Sequence, residues 1–187
     1  KNSLHLSGAA AFSSLVSILR VLVIVSILKV SVFPVVAPAA LAAAGVFGLG
    51  GFVLLSRKNG KNGTAEPPRN PFRLVPLLLF AAAFAAISML SAALVPRFGS
   101  ASLLATSALS GAFDVDVAVL SALRLVDQSV AMAVVGQAVL AGLLANAFGR
   151  LFLAMVIGPR TYWLPLAGVT VLASIAAVAT FLLTQMP

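Results

Sequence analysis

The stretch SALSGAFDVDVAVLSALR, residues 107–124, places two aspartates one residue apart in a run that otherwise resembles a membrane helix. Asp114 and Asp116 are two of only four acidic residues in the chain. A carboxylate at the centre of a spanning helix costs about 2.5 to 3.5 kcal/mol on insertion scales, and each apolar neighbour returns only about 0.3 to 0.6 kcal/mol. The segment is therefore marginal as an independent span, and we expect it to depend on protein neighbours or water.

The chain as a whole is much more apolar than a soluble domain. Of its 187 residues, 61% are hydrophobic and 9% are charged, and the mean hydropathy is +1.15. Soluble proteins are roughly half apolar and a quarter charged. This composition predicts an all-α fold, a polytopic integral membrane helix bundle that forms a single domain over residues 1–187. The absence of cysteine excludes a thiolate metal site, so we expect any bound metal to use oxygen ligands.

Six apolar windows are candidates for helices that cross about 30 Å of hydrocarbon. They cover residues 7–28, 35–55, 74–95, 100–126, 130–157 and 164–183. We therefore predict five or six transmembrane helices. In the fourth window we expect the helix to break or re-enter the bundle around Gly111 to Asp116, because Ser110 and Gly111 offer a place to unwind.

The polar segment 57–73 is rich in glycine, proline and basic residues, and it is predicted to be a mobile loop. The positive-inside rule places such a loop in the cytoplasm, as in a multi-pass protein of a bacterial-type inner membrane. With six simple crossings, Arg150 and Arg160 would lie near the outer side, whereas a re-entrant fourth window would return Arg160 to the side of the loop. The cationic loop residues are also candidates for binding anionic lipid headgroups: Arg57, Lys58, Lys61, Arg69 and Arg73.

Intramembrane carboxylates usually face a bundle interior and have a function. In a continuous helix Asp114 and Asp116 would point in nearly opposite directions, whereas in an unwound stretch they would point to the same side. An unwound segment would let the pair bind a hard cation such as Mg²⁺, with Ser110 and Asn146 as further oxygen ligands. A proton would need only one carboxylate. The alternative is that the pair lies at the membrane edge and caps the next helix.

Arg20 interrupts the first apolar window and shares one helical stripe with Ser13 and Ser17. An arginine inside a membrane bundle needs a counter-charge, and Asp114 or Asp116 is the natural partner. The alternative is an arginine that extends along the helix to the headgroups.

Two polar residues mark one face of the fifth window. Asn146 and Arg150 are four residues apart and share a face, whereas Gln137 lies on the opposite one. We therefore expect Asn146 to contribute to the site and Gln137 to form an interhelical hydrogen bond.

Several motifs resemble one known type of membrane domain. The motifs LRVLV at residues 19–23, NPF at 70–72, SGAFDVD at 110–116 and LAN at 144–146, with Ser121, resemble the uncharacterised multi-spanning C-terminal domain of MgtC/SapB-type membrane proteins. The resemblance implies that the chain lacks the start of that domain, including an earlier helix, and any attached MgtC-like domain. Because the family is linked to magnesium and ion homeostasis, the resemblance also implies a cation-related role.

The leading functional hypothesis is a transport-related domain that handles a cation, either a Mg²⁺-like divalent ion or a proton. Its midplane site would consist of Asp114, Asp116, Ser110 and Asn146, with Arg20 as counter-charge. The alternative is an accessory or structural subunit of a larger membrane complex, whose polar residues hold helices together. We expect the lipid bilayer, further copies of the chain or other membrane subunits as partners, rather than nucleic acid. No enzymatic activity is predicted, because the sequence has no Ser–His pair, HExxH motif or phosphate loop.

Overall fold

The computed structural model describes residues 3–57, 99–128 and 130–185, and this part of the chain contains helices and no strand. The α-helices are α1 (Ser3–Leu28), α2 (Phe33–Ser56), α3 (Gly99–Phe113), α4 (Val115–Arg124), α5 (Met132–Ile157) and α6 (Arg160–Gln185). Short 3-10 turns cover Val30–Val32 and Leu125–Gln128. The predicted all-α bundle is confirmed. The predicted span 74–95 and all but the first residue of the predicted loop 57–73 lie outside the described residues.

Four helices, α1, α2, α5 and α6, are long and apolar enough to cross a membrane. Helices α3 and α4 have 15 and 10 residues, and each is too short for a crossing that needs about 20. Helices α1, α2 and α6 extend a few residues beyond their apolar windows, whereas α5 begins two residues inside its window. Hydropathy marks only the hydrocarbon-embedded part, whereas the backbone hydrogen bonds continue into the interface.

Three helix ends meet at one face of the bundle. A Cβ placed on Gly8 of α1 would lie 3.0 Å from the carbonyl oxygen of Gly51 near the end of α2. The Ser7 hydroxyl donates a hydrogen bond of 2.6 Å to the carbonyl of Tyr162 in the first turn of α6. The start of α1, the end of α2 and the start of α6 therefore share a face, which we call the N-terminal face.

Helices α3 and α4 fold back on each other at Asp114. A Cβ placed on Gly142 of α5 would lie 3.3 Å from the carbonyl oxygen of Ser107 in α3 and 3.4 Å from the Cβ of Ala118 in α4. The two atoms are therefore at most about 7 Å apart, whereas eleven residues of straight helix would separate them by about 16 Å. The fourth apolar window is thus a helical hairpin, in agreement with the predicted break or re-entry.

Both ends of the hairpin lie toward the face opposite the N-terminal face. Helix α5 starts there, since Val35 near the start of α2 packs against Gly136 near the start of α5. The end of α4 is near the same face, because only the 3-10 turn Leu125–Gln128 and three further residues separate α4 from α5. The hairpin tip therefore points into the bundle. With a hairpin in place of a crossing, Arg160 lies on the same face as Arg57, which is the arrangement that the re-entrant alternative predicts.

The expected unwinding at Ser110 and Gly111 is corrected by the structure, because the helix breaks at Asp114 instead. Gly111 stays helical and packs directly on the backbone of Gly142, where a side chain would collide. This glycine therefore allows α3 to approach α5 closely rather than unwinding the chain.

The buried face of α4 fixes its position between α1 and α5. Val115, Val119 and Ala122 are at most 2% exposed and pack in one cluster with Val21 of α1 and Val139 of α5. Because a membrane offers no hydrophobic drive between helices, this contact depends on close van der Waals packing. It determines which way the polar side of α4 faces.

Candidate functional site

Asp114 is the residue that ends one helix and starts the next. Its backbone is extended, with φ −143° and ψ 102°, and its carboxylate accepts hydrogen bonds from the backbone N–H groups of Asp116 (2.9 Å) and Val117 (3.3 Å). These N–H groups have no partner inside the helix, and a negative charge is favourable beside them. Asp114 is thus the N-cap of α4, and its own N–H donates to the carbonyl of Ser110.

Asp116, in the first turn of α4, faces α1. Its Oδ2 lies 2.8 Å from Nη2 of Arg20, with the Asp116 side chain 29% and the Arg20 side chain 54% exposed. Of the two partners that the sequence offers to Arg20, the structure selects Asp116. The second oxygen, Oδ1, is buried and has no hydrogen-bond partner within the described part of the chain. A buried acceptor without a partner is costly, most of all when it carries charge.

Arg150 of α5 reaches the same stripe of α1. Its Nη1 and Nη2 donate to the hydroxyls of Ser13 (3.1 Å) and Ser17 (2.7 Å). Ser17, which accepts one of these bonds, is three residues before Arg20, so Arg150 contacts the stripe of α1 that carries Arg20. Arg150 therefore lies beside the middle of α1. The sequence contains a pattern that could have predicted this contact. One stripe of α1 carries Ser13, Ser17 and Arg20, and one face of α5 carries Asn146 and Arg150.

These charged groups lie well inside the length of the spanning helices. Ser13 and Ser17 are on either side of the midpoint of α1, which extends over Ser3–Leu28. Arg20 lies about 7 Å beyond that midpoint at 1.5 Å per residue, within the roughly 15 Å half-thickness of the hydrocarbon layer. By its position along the helix, Arg20 thus lies in the central part of α1, away from both helix ends.

The structure does not bring all the predicted site residues together. Ser110 is partly buried in the last turn of α3, close to Asp114 in the chain. Asn146 is 8% exposed and lines a pocket together with Gln137, although the two were expected on opposite faces of the helix. In residues 3–57, 99–128 and 130–185, no hydrogen bond joins Asn146 to either aspartate, and no group of three or more potential metal ligands occurs.

One of the predicted lipid-binding residues lies in the described part of the chain. Arg57 is exposed directly after α2, on the N-terminal face. Lys58, Lys61, Arg69 and Arg73 lie outside the described residues.

The fold and the site define a class of protein, a helical membrane bundle in which a re-entrant hairpin carries an aspartate to an arginine of the first spanning helix. Residues 2–158 match the family described as a domain of unknown function, DUF4010. The match covers most of the chain, and the chain therefore belongs to this family. No curated protein and no solved structure matches it. The expected uncharacterised membrane domain is confirmed, while the relationship to MgtC/SapB-type proteins remains a prediction from the sequence motifs.

Proposed function

We propose that this domain takes part in ion transport and binds a cation at Asp116, in competition with Arg20. The proposal is supported by the contacts of the two Asp116 carboxylate oxygens at the hairpin tip. One oxygen is paired with Arg20, and the other is buried without a partner among the described residues. A bound proton or cation would supply the missing partner.

A proton fits this environment better than Mg²⁺. Mg²⁺ takes six oxygen ligands in octahedral geometry, from carboxylates and water. Asp114 is occupied as the N-cap of α4, so the tip of the described hairpin offers too few oxygen ligands for an octahedral divalent ion. A Mg²⁺-like ion, as the MgtC/SapB resemblance implies, would require Asp114 to leave its cap and Ser110 and Asn146 to approach.

Protonation of Asp116 would weaken its ion pair with Arg20 because the carboxylate loses its charge. The pair connects the hairpin tip to α1, so its loss would loosen the hairpin. Broken helices near the midplane serve as movable ion sites in many transporters. In this proposal, proton binding and hairpin position are coupled.

We also propose that the N-terminal face is cytoplasmic, in a bacterial-type inner membrane. Arg57 and Arg160 both lie on this face of the described bundle, and the remaining basic residues of segment 57–73 follow Arg57 in sequence. An excess of Lys and Arg in short segments is typical of the cytoplasmic side.

The test is proton flux in liposomes that contain the full chain and an internal pH-sensitive dye. Asp116→Asn should abolish the flux that follows a pH step across the membrane. Asp114→Asn is the matched control and should retain most of the flux, because Asn is as good an N-cap as Asp. Wild-type flux in Asp116→Asn would contradict the proposal, as would a chain that moves no protons at all.

A second candidate function is that of an accessory membrane subunit without transport activity. The contacts of Arg20 and Arg150 join α1 to both α4 and α5, and they support a purely structural role. Under this hypothesis, Asp116→Asn would lower stability without changing ion dependence, and the chain would co-purify with a larger complex.

A further inference from the structure

A pocket separate from the Arg20–Asp116 pair lies between five of the helices. Its volume is about 330 Å³, and its lining comes from α1, α2, α3, α5 and α6. Such a volume is at the lower end of the range for small-molecule sites. The space exists because α2 and α6 contribute small side chains where they face it, namely Ala39, Ala40, Ala43, Ala173 and Ala177.

Two amide side chains in this pocket are without partners. Asn146 is more than nine-tenths buried, Gln137 is partly buried, and neither forms a hydrogen bond within the described part of the chain. The other polar groups in the lining are used, since Ser14 donates to the carbonyl of Ala10 and Ser174 to that of Thr170. Neither amide is among the fully buried polar groups without a partner in the described part of the chain, so the amide atoms are accessible from the pocket. The two amides are therefore the groups available to an occupant.

The lining also limits the chemistry of that occupant. No charged side chain is among the lining residues. A charged ligand would lose its hydration there without an ion partner, which disfavours it strongly. Most of the remaining surface is aliphatic or aromatic, including Phe47 and Phe181. A neutral molecule that is mainly apolar and has one or two hydrogen-bonding groups fits this environment.

The pocket reaches the outer surface of the bundle. Three of its lining residues, Leu104, Leu144 and Val178, are 36%, 37% and 49% exposed. Because α5 and α6 are long enough to span a membrane, this side of the pocket would face lipid. A ligand of low polarity would therefore enter sideways from the bilayer.

We propose that this pocket binds a neutral, mainly apolar molecule from the bilayer, with Asn146 and Gln137 as its hydrogen-bonding residues. This site is independent of the ion function proposed for Asp116. Failure of one proposal therefore leaves the other intact.

The experiment uses two photoreactive probes on the full chain in lipid nanodiscs. One is a diazirine-bearing long-chain primary alcohol, and the other is the diazirine alkane of the same length. Labelled peptides are identified by mass spectrometry. We expect the alcohol to label pocket-lining peptides of α5 and α6, and Asn146→Leu to reduce that labelling about three- to tenfold, the effect of one net hydrogen bond. Labelling by the alkane should change little, which also shows that this variant is folded.

A second part of the experiment uses a variant in which a larger side chain fills the pocket. Ala177→Phe should abolish pocket labelling by both probes, because its ring occupies the space. Ala179→Phe, the same change two residues later at an exposed position outside the lining, should leave labelling unchanged. Alcohol labelling spread evenly over exposed α6 positions, or pocket labelling that Asn146→Leu leaves unchanged, would overturn the proposal.

Discussion

Arg20 in the first spanning helix and Asp116 in the re-entrant hairpin form an ion pair, with 2.8 Å between Nη2 and Oδ2. The pair joins two elements that are almost a hundred residues apart in sequence. Within the described bundle, it is a charged contact between the hairpin tip and a long helix. Stability and function of this domain should therefore both respond to changes at these two positions.

The ion pair should contribute measurable coupling energy. Arg20→Gln leaves the Asp116 carboxylate without its cation, so it should destabilise the protein more in the wild-type background than in an Asp116→Asn background. Because both side chains are partly exposed, we expect a coupling of about 1 kcal/mol. Thermal unfolding of the single and double variants in detergent measures it, with the exposed Arg57→Gln as control. Additive effects of the two changes would contradict the contact.

The N-cap role of Asp114 predicts a difference between two substitutions. Asp114→Ala removes the acceptor for the N–H groups of Asp116 and Val117 and should cost about 1 kcal/mol, whereas Asp114→Asn should cost only a few tenths. Hydrogen exchange at those two amides should accelerate in the alanine variant alone. Equal losses in both variants would mean that the charge of Asp114, rather than its capping, is what matters.

The contact between Gly111 and Gly142 predicts that α3 tolerates no side chain there. Gly111→Ala would place a Cβ against the backbone of Gly142, and it should cost about 1 to 3 kcal/mol by forcing the hairpin away from α5. Gly45→Ala in α2 is the matched control. No atom lies within 4 Å of a Cβ at that position, so the higher helix propensity of alanine should leave stability unchanged or raised. The comparison is made by thermal unfolding, and equal melting temperatures would contradict the packing.

The hydrogen bonds of Arg150 predict an effect of Ser17. Ser17→Ala removes the shorter of the two bonds to the guanidinium, and it should cost about 1.5 to 3 kcal/mol, as is typical of hydrogen bonds to charged groups. Ser26→Ala is the control, since Ser26 is exposed and bonds only to the carbonyl of Val23 in its own helix. If both variants unfold at the same temperature as wild type, Arg150 does not depend on α1.

Much of the fold could be predicted from the sequence because lipid imposes simple constraints. Apolar length identified the four long helices, and the energetic cost of Asp114 and Asp116 indicated that the fourth window is not an ordinary span. The position of the break could not be inferred in the same way. Gly111 and Asp114 both favour an end to the helix, and only the close packing of Gly111 on Gly142 decides between them.

The site was less predictable than the fold. Helical periodicity assigns Ser13, Ser17 and Arg20 to one stripe, but it does not say which stripe of another helix faces it. That depends on crossing angles and on small residues that let helices approach. For the same reason the common pocket of Gln137 and Asn146 was missed, because an opening between several helices can expose two faces of α5 at once.

Both ends of the hairpin lie toward the same face of the bundle, so the hairpin does not change the number of times that the chain crosses the membrane. Deleting it, or exchanging it for a loop, would leave the directions of α5 and α6 unchanged. Removing any one of the long helices would instead invert everything that follows. The element that carries Asp116 is therefore the part of the described bundle that evolution can reshape at least cost to membrane topology.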